Sequence, residues 1–349
     1  MTSGHLTTTQ TGDHMNIQQS PASTATPAVP ANHRDNRRRS LHTVLRYGVF
    51  AVFVAMIVIF SVLKPSVFLQ VDTLKSIFVD AAILGVVAAA LTLVLAVGEF
   101  DLSFGNVAGV AGGVAVYTLG PLGLGLFPAL IAALVAGLIA GGANGLIIAY
   151  GKAPALIATL AVGSMALGLE RALMNDETVY QGIPSSYTSL TASEILGIPW
   201  IVVISLLMVI GLSVLATLSV FGRRIYATGG SEEAARIAGI RTLRVRLLTF
   251  VVMGLAAGVA GILLTSQSAS YYPNSGVSLL LPAYAACFLG WSAAGANRFY
   301  PGYTYFGVLF MGTLSTGLII LQVPSWVTDF VQGVVLVAAV LIARAARNK

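Results

Sequence analysis

The stretch GGSEEAARIAGI, Gly229 to Ile240, interrupts a chain that is otherwise nearly all apolar. Six arginines stand in or beside it: Arg223, Arg224, Arg236, Arg241, Arg244 and Arg246. Ser231 has the type and place of a helix N-cap, and Glu232 and Glu233 fill the first turn, where the helix dipole favours negative charge. Gly239 stands where a helix ends in a left-handed residue. The pattern predicts a helix of about two turns, which is marginal alone in water and takes its order from whatever it docks on. Two supports fit the pattern equally: a protein surface, or anionic headgroups drawn to the arginines.

On either side of this stretch the chain is that of a membrane protein. Of 349 residues, 56% are hydrophobic and 9% charged, and the mean hydropathy is +0.87. Such a chain cannot cover a soluble surface with polar groups. A bilayer core of roughly 30 Å needs about 20 apolar residues per helix. Ten runs qualify, at 45–63, 77–97, 103–119, 124–149, 154–170, 199–220, 247–268, 279–295, 303–321 and 326–343. Three regions are basic: Arg34 to Ser40 (RDNRRRS), the 222–246 loop, and the terminal RAARNK. Ten spans place all three on one side, which the positive-inside rule makes the cytoplasm. The long loop at about 171–198 holds Asp176, Glu177 and Glu194 and falls outside. The expected fold is all-α and polytopic, with ten spans and both termini inside. Spans two to five and seven to ten form groups of opposite starting side, the pattern of an inverted repeat.

The domain reading is a disordered cytoplasmic tail over 1–40 and a permease domain over 41–349 that carries the 222–246 loop. The tail is rich in Ser, Thr, Pro and Gln and lacks apolar periodicity. Its basic end lies beside a span, so it reads as topogenic charge and not as a nucleic-acid patch. Met15 is an alternative first residue. One cysteine, Cys287, excludes an internal disulfide and reads as a core residue. All four histidines lie at or before His42, so no metal site and no catalytic constellation is expected in the bundle. GLIIAYGKA (Gly145 to Ala153) mimics a phosphate loop, but it has five residues between its glycines and Ala153 in place of Ser or Thr. Gly137, Gly141 and Gly145, like Gly109 and Gly113 or Gly254 and Gly258, are spaced for close helix packing.

Polar residues at membrane depth or its edge are Asp80, Glu99, Asp101, Asn144, Thr159, Ser164 and Gln267. Intramembrane acids are costly and often functional. Asp80 reads as interfacial. Asp101 or Ser103, in GEFDLSFG, fits a helix cap equally well as a transport path.

Phe221 to Ser266, FGRRIYATGGSEEAARIAGIRTLRVRLLTFVVMGLAAGVAGILLTS, closely resembles the cytoplasmic loop and following span of permeases of bacterial ribose-type and related sugar ABC importers. GEFDLSFGNVAGVAG (Gly98 to Gly112) is similar to that family's Gly-Ile-Asp-Leu-Ser-Val-Gly segment. GANGLIIAYGKAPALIATLAVGSMALGL (Gly142 to Leu169) is similar to its Asn-Gly, Pro and Thr-Leu pattern. The resemblance covers about residues 45–343. It implies that Gly230, Ser231, Glu232, Glu233, Ala234, Ala235, Arg236 and Gly239 form a coupling helix seated in a groove of an ATP-binding subunit. It makes Glu99, Asp101, Ser103, Asn144, Thr159 and Ser292 candidates for the path or its motifs.

The resemblance further implies a second permease chain, identical or different, an external solute-binding protein, and a bacterial cytoplasmic membrane. ATP and magnesium would sit on the partner subunits. No cofactor is expected on this chain, which would itself be no enzyme. Glu99 and Phe100 stand where the family has Gly-Ile. LGWSAAGANRFYPG (Leu289 to Gly302) replaces a Gly-Gly-x-Ser-x-x-Gly-Gly pattern, with Asn297 and Arg298 introduced. Glu99 reads as tuned to another solute, or as the mark of a chain that works beside a more typical partner. A monosaccharide is the leading cargo. A branched-chain amino acid, a nucleoside, a signalling molecule and an ion-coupled carrier remain alternatives.

Overall fold

The computed structural model describes Met1, residues 33–294 and residues 298–347, with side chains from Gly48 to Ala294 and from Arg298 to Arg344. The expected disordered tail, up to residue 32, and Gly295, Asn297 and the last two residues lie outside the described residues.

The chain folds as α1 (His33–Leu63), a short α2 (Pro65–Phe68), α3 (Val71–Ala96), α4 (Phe104–Leu119), α5 (Leu126–Ala149) and α6 (Ala155–Met174). Then come α7 (Ser185–Ala192), a two-stranded hairpin of β1 (Glu194–Ile195) and β2 (Ile198–Pro199), α8 (Trp200–Leu218), α9 (Val220–Gly230) and α10 (Glu232–Ile237). The last part is α11 (Thr242–Ser268), a 3₁₀ turn (Ser275–Leu279), α12 (Leu280–Ala294), α13 (Pro301–Ile320) and α14 (Ser325–Arg347).

Each of the ten apolar runs falls on a helix. Among the described residues, eight are long and apolar enough to cross a membrane, counting the 3₁₀ turn with α12, while Phe104–Leu119 is shorter. The 222–246 loop differs from its reading as one short helix in a connection. It is helical nearly throughout: α9 fills its start, Gly230 closes α9, and α11 begins at Thr242.

The core is built on α3 and α11. Of the most apolar window of α3, 83% is buried, against 6% for α14. Lipid offers no hydrophobic drive between helices, so close backbone approach has to supply the attraction. The glycines permit it. Gly137, Gly141 and Gly145 of α5 face Gly258, Gly254 and Leu247 of α11, and a Cβ on Gly141 would lie 2.9 Å from the Gly254 Cα.

The packing repeats. α4 packs on α5 and α6 as α12 packs on α13 and α14, and α3 meets α12 and α13 as α11 meets α4 and α5. α3 and α11 also touch each other. Exchanging α3, α4, α5 and α6 for α11, α12, α13 and α14 therefore preserves the neighbours. The single span α8 between the groups gives them opposite senses, as an inverted repeat requires.

The third and eighth runs fall on the two shortest spanning helices, each preceded by irregular backbone. α4 has 16 residues, which at ~1.5 Å per residue give about 24 Å, short of the bilayer core, whereas the 15 residues of α12 reach membrane length only together with the 3₁₀ turn before them. Non-helical backbone precedes each: residues 97–103 before α4, and Ala269–Asn274 before the 3₁₀ turn. Both breaks carry polar residues, Glu99 and Asp101 in the first and Ser270 and Asn274 in the second, and both fall between the runs read from sequence. The two short spans meet inside the protein. A Cβ on Gly105 would lie 2.8 Å from the Gly276 carbonyl oxygen. The Tyr284 hydroxyl of α12 donates to the Asp101 carbonyl at 2.7 Å and accepts from the Asp101 N–H at 3.1 Å. Irregular backbone between apolar helices is tolerated in this way, buried in protein with its polar groups satisfied.

Candidate coupling surface and polar junction

The predicted short helix is present and closed at both ends. The Ser231 hydroxyl oxygen accepts from the Ala234 N–H at 3.3 Å. Gly239 has φ +81°, its N–H donates to Arg236 O at 3.0 Å, and the Ile240 N–H donates to Ala235 O at 3.0 Å. That pair of bonds is a Schellman ending, which a left-handed residue makes possible.

Ala235 is buried, whereas Glu233, Ala234, Arg236, Ile237 and Ala238 are exposed. Ile237 stands 79% exposed, on the face opposite Ala235, since two residues turn a helix by about 200°. Arg236 Nη2 lies 2.8 Å from Glu233 Oε1 across the exposed turn. An exposed aliphatic knob rimmed by a charge pair is the kind of anchor a protein groove receives. Sequence reading missed Ile237, although its helical phase relative to Ala235 marks it.

The inner edge of α10 is tied to the bundle. Thr242 Oγ1 donates to Glu232 Oε1 at 3.2 Å. Arg246 of α11 places Nη2 2.9 Å from Glu232 Oε2 and Nε 3.1 Å from Glu99 Oε1. The Glu99 contact is an ion pair off the N–H direction, because the same Nε has no hydrogen-bond acceptor. Burial pushes the Glu99 carboxyl above its ordinary range, Arg246 draws it back down, and Glu232 adds to the rise. Gly229, at the end of α9, packs its backbone on Ala96 and Val97. The sequence counted Arg246 as loop charge; its partner Glu99 is too distant along the chain for spacing to reveal.

Four of the six path candidates come together in a second place. Asp101 Oδ1 accepts from the Ser103 N–H at 2.7 Å and the Ser103 hydroxyl at 2.6 Å. Asn144 Nδ2 donates to Ser103 Oγ at 2.7 Å, and the Leu102 N–H donates to Thr159 Oγ1 at 3.2 Å. All four side chains are buried, none more than 2% exposed. The Asp101 carboxylate holds the turn that leads into α4, as an Asx turn onto Ser103, while Ser103 at the N-cap position makes no side-chain cap bond. Asp101→Ala would leave the Ser103 groups without their acceptor. The expected loss is about 1–3 kcal/mol, read as a lower melting temperature in detergent, and an unchanged melting temperature would refute the role.

The other two candidates stand apart. Glu99 belongs to the Arg246 contact, and Ser292 is buried in α12 beyond the junction. Asp80, read as interfacial, lies on an exposed part of α3 and accepts from Thr316 Oγ1 at 2.9 Å. Glu170 of α6 stands at the end of the fifth apolar run, beside Arg171. It is fully buried. Its Oε1 accepts from the Tyr271 hydroxyl at 2.8 Å and the Asn274 N–H at 3.2 Å, fastening the backbone that leads into α12. A cavity of about 850 Å³ opens where α3, α9, α12 and α14 end, lined by Glu99, Phe100, Tyr226, Trp291, Arg298 and Arg344 among others.

Known proteins share this arrangement of sequence. A family model described as the permease component of the branched-chain amino acid transport system matches residues 73–340. The ribose import permease protein of Bacillus subtilis (strain 168) is 34% identical over 303 residues, which cover 86% of this chain and 92% of that protein. The autoinducer 2 import system permease proteins of Shigella flexneri and Escherichia coli (strain K12 / DH10B) are each 34% identical, over 78% of this chain and 80% of theirs. With a match that runs from the start of α3 into α14, joined to an all-α bundle of membrane-length helices, this chain belongs to the branched-chain amino acid transport system permease family.

Proposed function

We propose that this chain is the membrane subunit of an ATP-binding-cassette importer for a small polar, sugar-like solute. The observation that carries the reading is α10: a helix capped at both ends, fastened to the bundle along one edge, and presenting Glu233, Arg236 and Ile237 outward. Isolated helices of this length do not hold together in water. One so thoroughly braced is suited to transmit force as a rigid body. The names of the relatives favour a ribose-like or sugar-derived cargo over a branched-chain amino acid.

In this reading two permease chains form the path, and two ATP-binding subunits, which hold ATP and magnesium, dock beneath α10. An external binding protein delivers the solute. The chain lies in a bacterial cytoplasmic membrane with both termini inside, as its basic regions favour. ATP binding draws the ATPase subunits together, α10 moves with them, and access switches from one face to the other. Such coupling requires a docked element with two stable arrangements.

The test is co-purification from membranes with a candidate ATP-binding subunit, comparing wild type with a variant whose Ser231–Gly239 segment is a Gly/Ser linker. The ATPase is expected to follow wild type and to be lost from the variant. A folded wild-type chain that brings down no ATPase would sink the reading and favour a carrier driven by ion gradients.

A further inference from the structure

Glu99 stands just past the end of α3, and its surroundings assign it a task. It follows Gly98, which has φ +92°, at the point where α3 gives way to the irregular segment 97–103. Its side chain is 14% exposed and that of Arg246 is 23% exposed, so the pair is far less screened than a surface one. Arg246 does not end at Glu99. Its guanidinium spans from Glu99 to Glu232 at the first turn of α10, a bridge that suits the planar fork of arginine and not the point charge of lysine. Beside it the Gly229 backbone abuts the Ala96 carbonyl so closely that no side chain fits between them. The exposed helix is therefore joined to the end of α3 twice, by charge and by backbone contact. Two residues beyond Glu99, Asp101 reaches Ser103 and the Tyr284 hydroxyl, where the two short spans meet.

We propose that Arg246, clasped between Glu232 and Glu99, is a positioning residue that ties the movement of α10 to the α3–α4 break. The relay rests on the importer reading and deepens it, because it gives the docked helix a defined route to the junction of the two repeats. Spatial continuity alone does not establish coupling, and a thermodynamic cycle does.

The experiment uses the complete complex with its ATP-binding subunits, reconstituted in liposomes, for wild type, Glu99→Gln, Arg246→Gln and the double variant. Solute taken up per ATP hydrolysed is measured and normalised to the amount of ATPase that co-purifies. That ratio is unmoved by a merely structural loss of assembled complex. Each single variant is expected to lower the ratio roughly tenfold, within the range of coupling energies carried by such contacts. The double variant is expected to be no worse than either single one, since both break the same link. A ratio within about twofold of wild type in the single variants, or a double loss equal to the product of the two, would overturn the relay. A wild-type chain with which no ATP-binding subunit co-purifies refutes the importer reading itself, and the relay with it.

Discussion

Gly254→Leu is expected to abolish accumulation of folded chain in the membrane. On helix propensity alone, replacing a helical glycine gains up to about 1 kcal/mol. At Gly254 that gain is overwhelmed. A Cβ there would sit 2.7 Å from the Gly141 Cα and 2.8 Å from the Gly141 nitrogen, with the Gly137 carbonyl closer still. All of these atoms are backbone, so no rotamer change relieves the clash, and α5 and α11 must separate. Overpacking costs of about 1–3 kcal/mol arise where side chains can yield; here a whole helix pair has to move. The check is the yield of monodisperse protein in detergent by gel filtration. Gly211→Leu on α8, where nothing lies within 4 Å of an added Cβ, serves as the comparison. Equal yields from the two variants would show that the α5–α11 contact does not hold the bundle together.

Gly239→Pro is expected to leave the bundle intact and to cut solute uptake by more than about tenfold, the change that ~1.4 kcal/mol produces. Proline is confined to φ near −65°, whereas Gly239 sits at +81°. It also removes the N–H that donates to Arg236 O, so the C-terminal lock of α10 opens. Gly239→Ala keeps the N–H and costs ~1–2 kcal/mol for the left-handed geometry, and a milder loss is expected. Reversing the charges of Glu232 and Glu233 together attacks the other end, where Glu232 is held by Thr242 and Arg246. Normal uptake by the proline variant, measured against equal membrane amounts, would remove α10 from the transport cycle.

The features that sequence reveals here are those written in composition or in near neighbours. Ten apolar runs mark ten helices because the bilayer demands length and apolarity and little else. Ser231 and Gly239 mark the ends of α10 because caps are local chemistry. The breaks before α4 and α12 fall between apolar runs; what stays hidden in the sequence is that they pack inside the protein. Their polar backbone is satisfied by partners such as Tyr284, remote in sequence. The junction of Asp101, Ser103, Asn144 and Thr159 is legible in the sequence as residue types and not as one cluster, since its members come from three segments that only packing assembles. Arg246 and Glu170 carry charge beside loops, where charge is ordinary. Their importance lies in what they face.

The shortness of α4 and α12 also bears on how the chain enters the bilayer. At 16 residues α4 is below the length that holds a membrane by its own partitioning, and α12 reaches that length only with the 3₁₀ turn before it. Each is followed within a few residues by a full-length partner packed against it, α5 after α4 and α13 after α12. These segments are therefore expected to enter the bilayer as helical hairpins, each paired with the longer helix that follows it. On that expectation the order of synthesis becomes part of what the short spans depend on.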